Sequence, residues 1–221
     1  MSRFRRQPPA KEPGTIMIVV TEGEKTEPGY LKAFKEIHVL PHIKKSVFKL
    51  RIIPGIGVPK TVVDRAIQEL EDLQGPLSGK DSVWAMFDRD EHPEFREAKD
   101  KARSKGVHLA ISNPCFEIWG IYHYQDWQGP IERDQCQKEL ERLCPSYNRK
   151  SGKVFIDHDA IKNKYRDAMR RAKESLDSRK REGDPEGNPS TSVYLLMEEI
   201  LSKVEELKRQ NEEPCQAIEG L

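Results

Sequence analysis

Residues Thr15–Glu27 read TIMIVVTEGEKTE, and this stretch decides the fold. Ile16 to Val20 are five apolar residues in a row, rich in β-branched side chains. A continuous apolar run suits a strand buried on both faces, as in a parallel sheet, where a half-exposed strand would alternate. Thr21, Glu22 and Gly23 come directly after it, then a charged turn, then Thr26, Glu27 and Pro28 at the head of a predicted helix. A buried strand that exits into Glu-Gly places a carboxylate at the C-terminal edge of its sheet. Open α/β sheets bind their ligands at that edge.

A second run, Val83 to Phe87, is equally apolar and exits into Asp88-Arg89-Asp90. In extended chain, residues i and i+2 share a side, so Asp88 and Asp90 can face one ion. Alone, DRD reads as a polar strand exit. Paired with the Glu-Gly turn, it completes three carboxylates at two strand ends, an oxygen set suited to Mg²⁺ with water and substrate phosphate.

Around these two strands the chain reads strand, helix, strand, helix, strand. Tyr30, Leu31, Phe34 and Ile37 recur at helical spacing, with Thr26 as the expected N-cap and Pro28 in the first turn. Val47 to Ile53 is a predicted strand, and Pro54-Gly55-Ile56-Gly57 a turn, since PGIGVPKT lacks the spacing of a phosphate-cradling loop. Val62, Val63, Ala66, Ile67, Leu70 and Leu73 outline an amphipathic helix. The order predicts an α/β fold with a mostly parallel sheet flanked by helices. Residues 92–105 are helix-compatible, and Val107 to Ile111 is a further short strand, exiting into Ser112 to Trp119. Glu117 there has two readings. It is a carboxylate on the same edge that serves a second metal or supports the ligands of the first, or it belongs to a helix start that packs Phe116, Trp119 and Ile121 into the core. Cys115 reads as a small buried hydrophobe.

Four motifs in this order, TEGEKTEPGYL, FDRD, SNPCFEIW and NPSTSVYLL, resemble those of the RloB-like proteins from about Ile16 to about Ile200. The resemblance implies a Toprim-type catalytic domain from prokaryotic restriction and phage-defence loci. The Toprim pattern of an EG turn and a later DxD maps onto Glu22-Gly23 and Asp88/Asp90. The resemblance also implies metal-dependent phosphodiester chemistry: Mg²⁺ or Mn²⁺ on Glu22, Asp88 and Asp90, with Glu22, Lys25 and Glu117 in catalytic roles. Glu24 and Glu27 are weaker candidates, one of which serves the helix N-terminus. Asn188 and Thr191 are expected to border the site. The chain is too short for a topoisomerase and lacks a primase's zinc pattern, which leaves a nuclease acting on DNA or RNA. A non-cutting regulatory or nucleic-acid-binding subunit, or a nucleotidyl transferase, are the alternatives. No ATPase motif is present, so the resemblance suggests a separately encoded ATPase partner.

A chain of 221 residues suits one core with an elaboration. The expected division is a disordered basic tail at 1–14, an α/β core at 15–125, and a helical elaboration at 126–221 that packs back on the core. Charged residues are 34%, yet the net charge is only +1, so any nucleic-acid contact comes from local patches. Arg166, Arg170, Arg171 and Lys173 are the candidate patch, on a helix expected over 159–180. A solvated face is the competing reading, since Glu174 and Asp177 dilute the charge. Asp157 or Asp159 is expected to cap that helix. Ser190 to Ser192 are expected to cap a last helix striped with Val193, Leu196, Met197, Ile200, Val204 and Leu207. Cys115, Cys136, Cys144 and Cys215 form no CxxC pair, which argues against a zinc ribbon or a disulfide framework. No apolar stretch is long enough to span a membrane, and the expected location is cytoplasmic.

Overall fold

The computed structural model describes residues 14–73, 81–89, 94–150, 152 and 154–212. Residues 1–13 of the expected tail, Asp90 and Cys215 lie outside the described residues.

Strand β1 (Thr15–Thr21) leads to helix α1 (Thr26–His38), β2 (Phe48–Ile53), α2 (Pro59–Asp72), β3 (Ser82–Asp88), α3 (Phe95–Lys105) and β4 (His108–Asn113). The helices α4 (Glu117–Tyr122), α5 (Arg133–Leu143), α6 (His158–Asn163) and α7 (Tyr165–Arg181) come next. A two-residue strand β5 (Ser190–Thr191) then precedes α8 (Val193–Glu212). The sheet order is β2-β1-β3-β4-β5. The pairs β1–β2, β1–β3 and β3–β4 are parallel, and β5 runs antiparallel to β4. This is the α/β fold expected from the apolar runs.

The continuous runs arise because the sheet is covered on both faces. Along β1, Met17 and Val19 join one apolar cluster while Ile18 and Val20 join the other. Along β3, Trp84 and Met86 go with the first, and Val83, Ala85 and Phe87 with the second. The second cluster is closed by Val62, Val63, Ala66 and Ile67 of α2 and by Ala98 and Ala102 of α3. The first is larger and takes side chains from α1, α4, α5, α6, α7 and α8, among them Phe34, Trp119, Leu140, Ile161, Ala168 and Ile200. Burial of this kind stabilises at roughly 25 cal/mol per Å² of apolar surface.

Three local expectations need correction. Thr26 is the first residue of α1 and not its cap; Lys25 holds the cap position without a side-chain bond. In its place Glu27 reaches back to accept the Gly23 N–H at 3.2 Å. The helix expected over 159–180 is two helices, broken at Lys164 (φ −113°, ψ 0°), while Asp157 caps the first by accepting from the Ala160 N–H at 3.1 Å. Ser190 and Thr191 do not cap a helix alone. They pair with Asn113 and Ser112 as β5, and the Ser112 and Thr191 hydroxyls meet at 2.9 Å.

Candidate active site

Because β1, β3 and β4 are parallel neighbours, their C-terminal ends share one edge of the sheet. The first carboxylate comes from the β1 exit. The Glu22 N–H bonds Met86 O at 3.0 Å, which continues the ladder one residue past the strand. Its side chain then turns toward β3, where Oε2 accepts the Asp88 N–H at 2.9 Å. The loop after β2 clamps this turn from the other side. Ile56 N–H bonds Thr21 O at 3.3 Å, and Gly55 N–H bonds Gly23 O at 3.1 Å. Gly55 has φ +72°, a left-handed conformation that side chains resist. A Cβ at Gly23 would displace the Glu27 carboxylate that its N–H now holds.

Asp88, the last residue of β3, is 8% exposed. Its Oδ2 accepts from Arg133 Nη2 at 3.0 Å, and the same nitrogen lies 3.5 Å from Pro114 O. Burial pushes the Asp88 carboxyl well above the usual range, and the Glu27 charge adds to it. The Arg133 guanidinium pulls the other way, against further upward pushes from Glu117 and Glu22. Glu27 is buried as well, and desolvation raises it to about 7, with the charges of Glu117 and Glu22 contributing. Glu117, first residue of α4 and also buried, accepts the Tyr147 hydroxyl at 2.7 Å. The helix-start reading of Glu117 holds, and the carboxylate stays on the edge where the sequence placed it. It opens a helix whose Ile118, Trp119 and Ile121 are core, and its carboxylate acts on the same edge as Asp88.

Lys25 is exposed beside this edge. With Glu117, Gln137, Tyr147, Asn148 and Arg149 it lines a cavity of about 160 Å³. A groove of about 350 Å³, lined by Leu109, Ile111, Leu176, Lys180 and Leu195, contains none of these carboxylates.

Of the residues singled out in the sequence, the structure gathers Glu22, Asp88 and Glu117, with Lys25 at the rim. Asp90 lies outside the described residues. Glu27, one of the two weaker candidates in the sequence, belongs to the group. Arg133 and Tyr147 carry no sequence signal; each reaches its partner across a long separation in the chain. Asn188 and Thr191 work as seams. The Asn188 amide bonds both the N–H and the C=O of Ile131 at 3.0 and 2.8 Å, and Thr191 ties β5 to β4. Cys115 is fully buried, its thiol raised by the Cys136 hydrogen bond and by burial, as suits a packed hydrophobe.

The basic helix face divides in two. Arg171 turns inward, donating to Tyr122 O at 2.8 Å and pairing with Asp126 at 2.9 Å. Arg170 pairs with Glu174 at 3.1 Å, and Arg166 bonds the Tyr165 hydroxyl at 3.0 Å. Arg166, Arg170 and Lys173 are exposed.

The family profile described as RloB-like protein matches residues 17–200, and the chain belongs to that family. No curated protein matches it, and neither does any solved structure. Among the described residues no helix is long and apolar enough to cross a membrane.

Proposed function

We propose that this chain is a metal-dependent nuclease with a Toprim-type catalytic domain, hydrolysing phosphodiester bonds of nucleic acid in prokaryotic phage defence. One observation carries the reading: Asp88 and Glu27 lie buried at the C-terminal edge of the parallel strands, with Glu22 bonded to the Asp88 N–H and the charges of Glu22 and Glu117 pressing on both. Buried like charges are costly unless a counter-charge joins them, and such costs concentrate at functional sites.

The donor set fits a hard divalent cation. All four groups are carboxylates, and repulsion among them is what a cation would relieve. Among the described residues no three His, Cys, Asp or Glu form a metal-holding group. Mg²⁺ does not ask for one, since it commonly takes one or two carboxylates and completes its shell with water and substrate phosphate. Asp88 would hold it, with Asp90 two residues further on. When bound, the ion polarises the scissile phosphate and neutralises its developing charge.

The remaining work falls to side chains of the chain itself. Glu22, held on the edge by the Asp88 N–H, serves the attacking water as general base. The Lys25 ammonium at the rim offsets charge on the phosphoryl oxygens. Glu117, its Oε1 fixed by Tyr147, orients the substrate on the far side of the edge. A separately encoded ATPase partner would hold this activity in check until infection.

The test is to incubate the full chain with DNA, tRNA and free nucleotides, in Mg²⁺ or Mn²⁺ and in EDTA, beside Asp88→Asn. Metal-dependent fragments from the wild type alone support the reading. Transferred nucleotides would make it a transferase, and no product from any substrate would leave the regulatory alternative.

A further inference from the structure

A cation already stands on the acidic edge. Arg133 is the first residue of α5, and its Nη2 lies 3.0 Å from Asp88 Oδ2. The two partners differ in freedom. The Asp88 side chain is 11% exposed, whereas that of Arg133 is 42% exposed. Asp88 is fixed by its strand, and its N–H is committed to Glu22. Arg133 reaches it on a long stem from a helix terminus, outside both apolar clusters.

The pair also conflicts with the reading of this edge as a metal site. A guanidinium at hydrogen-bond distance and a divalent cation compete for the same carboxylate, because each repels the other. Removing Arg133 with nothing in its place would leave Asp88 buried among Glu22, Glu27 and Glu117, which is costly. The exchange is favourable when the displaced guanidinium gains a new anion, and its planar fork suits phosphate oxygens. We propose that Arg133 alternates between two partners: Asp88 in the metal-free protein, and the substrate phosphate once a divalent cation has taken Asp88. This rests on the nuclease reading and adds to it a phosphate-binding residue from the helical elaboration. It also makes cation and phosphate binding mutually reinforcing, since each stabilises the same displaced arginine.

The experiment is a Mn²⁺ titration of the full chain, tracking the free-ion paramagnetic resonance signal, with and without inorganic phosphate. Wild type, Arg133→Ala, Arg133→Lys and Asp88→Asn are compared after melting curves show that each is folded. Arg133→Ala is expected to bind Mn²⁺ alone about tenfold more tightly than wild type, a modest value for a close charge pair. Phosphate should tighten Mn²⁺ binding severalfold in wild type and leave Arg133→Ala unchanged. Arg133→Lys, which keeps the charge, should stay near wild type without phosphate. If Asp88→Asn weakens Mn²⁺ binding but Arg133→Ala does not strengthen it, the exchange is wrong and the metal site stands. Phosphate enhancement that survives in Arg133→Ala overturns the exchange in the same way. If Asp88→Asn binds Mn²⁺ as wild type does, the metal reading of this edge fails and the exchange with it.

Discussion

Two of the buried neighbourhoods that hold titratable groups are built on opposite rules. Under α1 and α4, His123 is 1% exposed, and its Nε2 lies 3.1 Å from the Tyr30 hydroxyl. Its Nδ1 lies 2.9 Å from Trp119 O, which can only accept, so Nδ1 carries the proton and Nε2 accepts from Tyr30. The rings of Tyr30, Trp119 and Phe155 surround it edge-on at 5.0–5.5 Å. Every partner matches the neutral imidazole, and burial lowers its pKa to about 4. At the strand ends the partners match the charged form: backbone N–H groups for Glu22 and Glu27, a guanidinium for Asp88. The neighbours there are other carboxylates, which oppose the charge. Burial alone therefore does not mark a site. What marks it is the conflict between a group's hydrogen-bond partners and its charged neighbours.

The largest test of that contrast is Asp88→Asn. If the acidic edge is a metal site, the substitution removes repulsion with little change of volume and removes a ligand. Cleavage should fall at least about a hundredfold, the scale seen even for groups that only support metal ligands. Melting in EDTA should stay level or rise, and the upward shift given by Mg²⁺ in wild type should vanish. A lower melting point in EDTA with the Mg²⁺ shift intact would make Asp88 a structural residue like His123.

Stability against pH tests the two rules together. The raised Glu27 contributes stability below pH 4.5, where it is protonated in both states. That contribution disappears as pH climbs through about 7, because the unfolded chain ionises first. The lowered His123 works in reverse: its contribution is complete above 6.5 and disappears as pH falls toward 4. Each shift is worth up to about 3 kcal/mol by proton linkage, so the two slopes largely cancel between pH 4.5 and 6.5. Asp88, also raised, tips the metal-free protein toward lower stability as pH rises. Glu27→Gln keeps an acceptor for the Gly23 N–H and removes the titration. Urea melts of this variant should show stability rising with pH over that window, relative to wild type. His123→Gln should show the opposite change. Identical profiles for all three proteins would mean that these groups do not set the pH response.

Part of this design is legible in the sequence. A strand covered on both faces needs an unbroken apolar run, so β1 and β3 announce themselves, and the residues that end them name Glu22 and Asp88. The rest depends on distance along the chain. Arg133 meets Asp88 over 45 residues, and Tyr147 meets Glu117 over 30, with no periodicity to report either contact. Glu27 is visible but ambiguous, because an acidic first turn suits any helix until its burial is known. Strand β5 is two residues long and exists only because β4 offers an edge. The break at Lys164 carries no glycine or proline to signal it.

The smallest effect concerns Arg171, which the sequence groups with a basic face and the structure packs against Tyr122 and Asp126. Arg171 stands in the basic run of α7 with Arg166, Arg170 and Lys173, which suggests a contact to nucleic-acid backbone. The structure turns it instead toward the helix that carries His123. It donates to Tyr122 O, pairs with Asp126, and helps to lower the His123 pKa. Arg166, Arg170 and Lys173 are exposed, and Arg170 is paired with Glu174, so Arg166 and Lys173 are the ones to test against phosphate. Each phosphate contact contributes about 0.9 to the slope of log affinity against log salt for duplex DNA, and about 0.7 for a single strand. Replacing Arg166 and Lys173 together by alanine should therefore reduce that slope by at most about 2 and leave the melting temperature alone. Arg171→Ala should do the converse. The salt slope stays at its wild-type value, while stability falls by about 1–2 kcal/mol through the lost carbonyl bond. Its acid limb should also move, because His123 loses a neighbouring positive charge and is protonated at slightly higher pH. Affinity measured over a salt series, with urea melts at about pH 5 and pH 7 on either side of the ordinary histidine range, separates these outcomes. A salt slope that drops in Arg171→Ala with no change in stability would return Arg171 to the nucleic-acid face and blur the boundary between the two neighbourhoods.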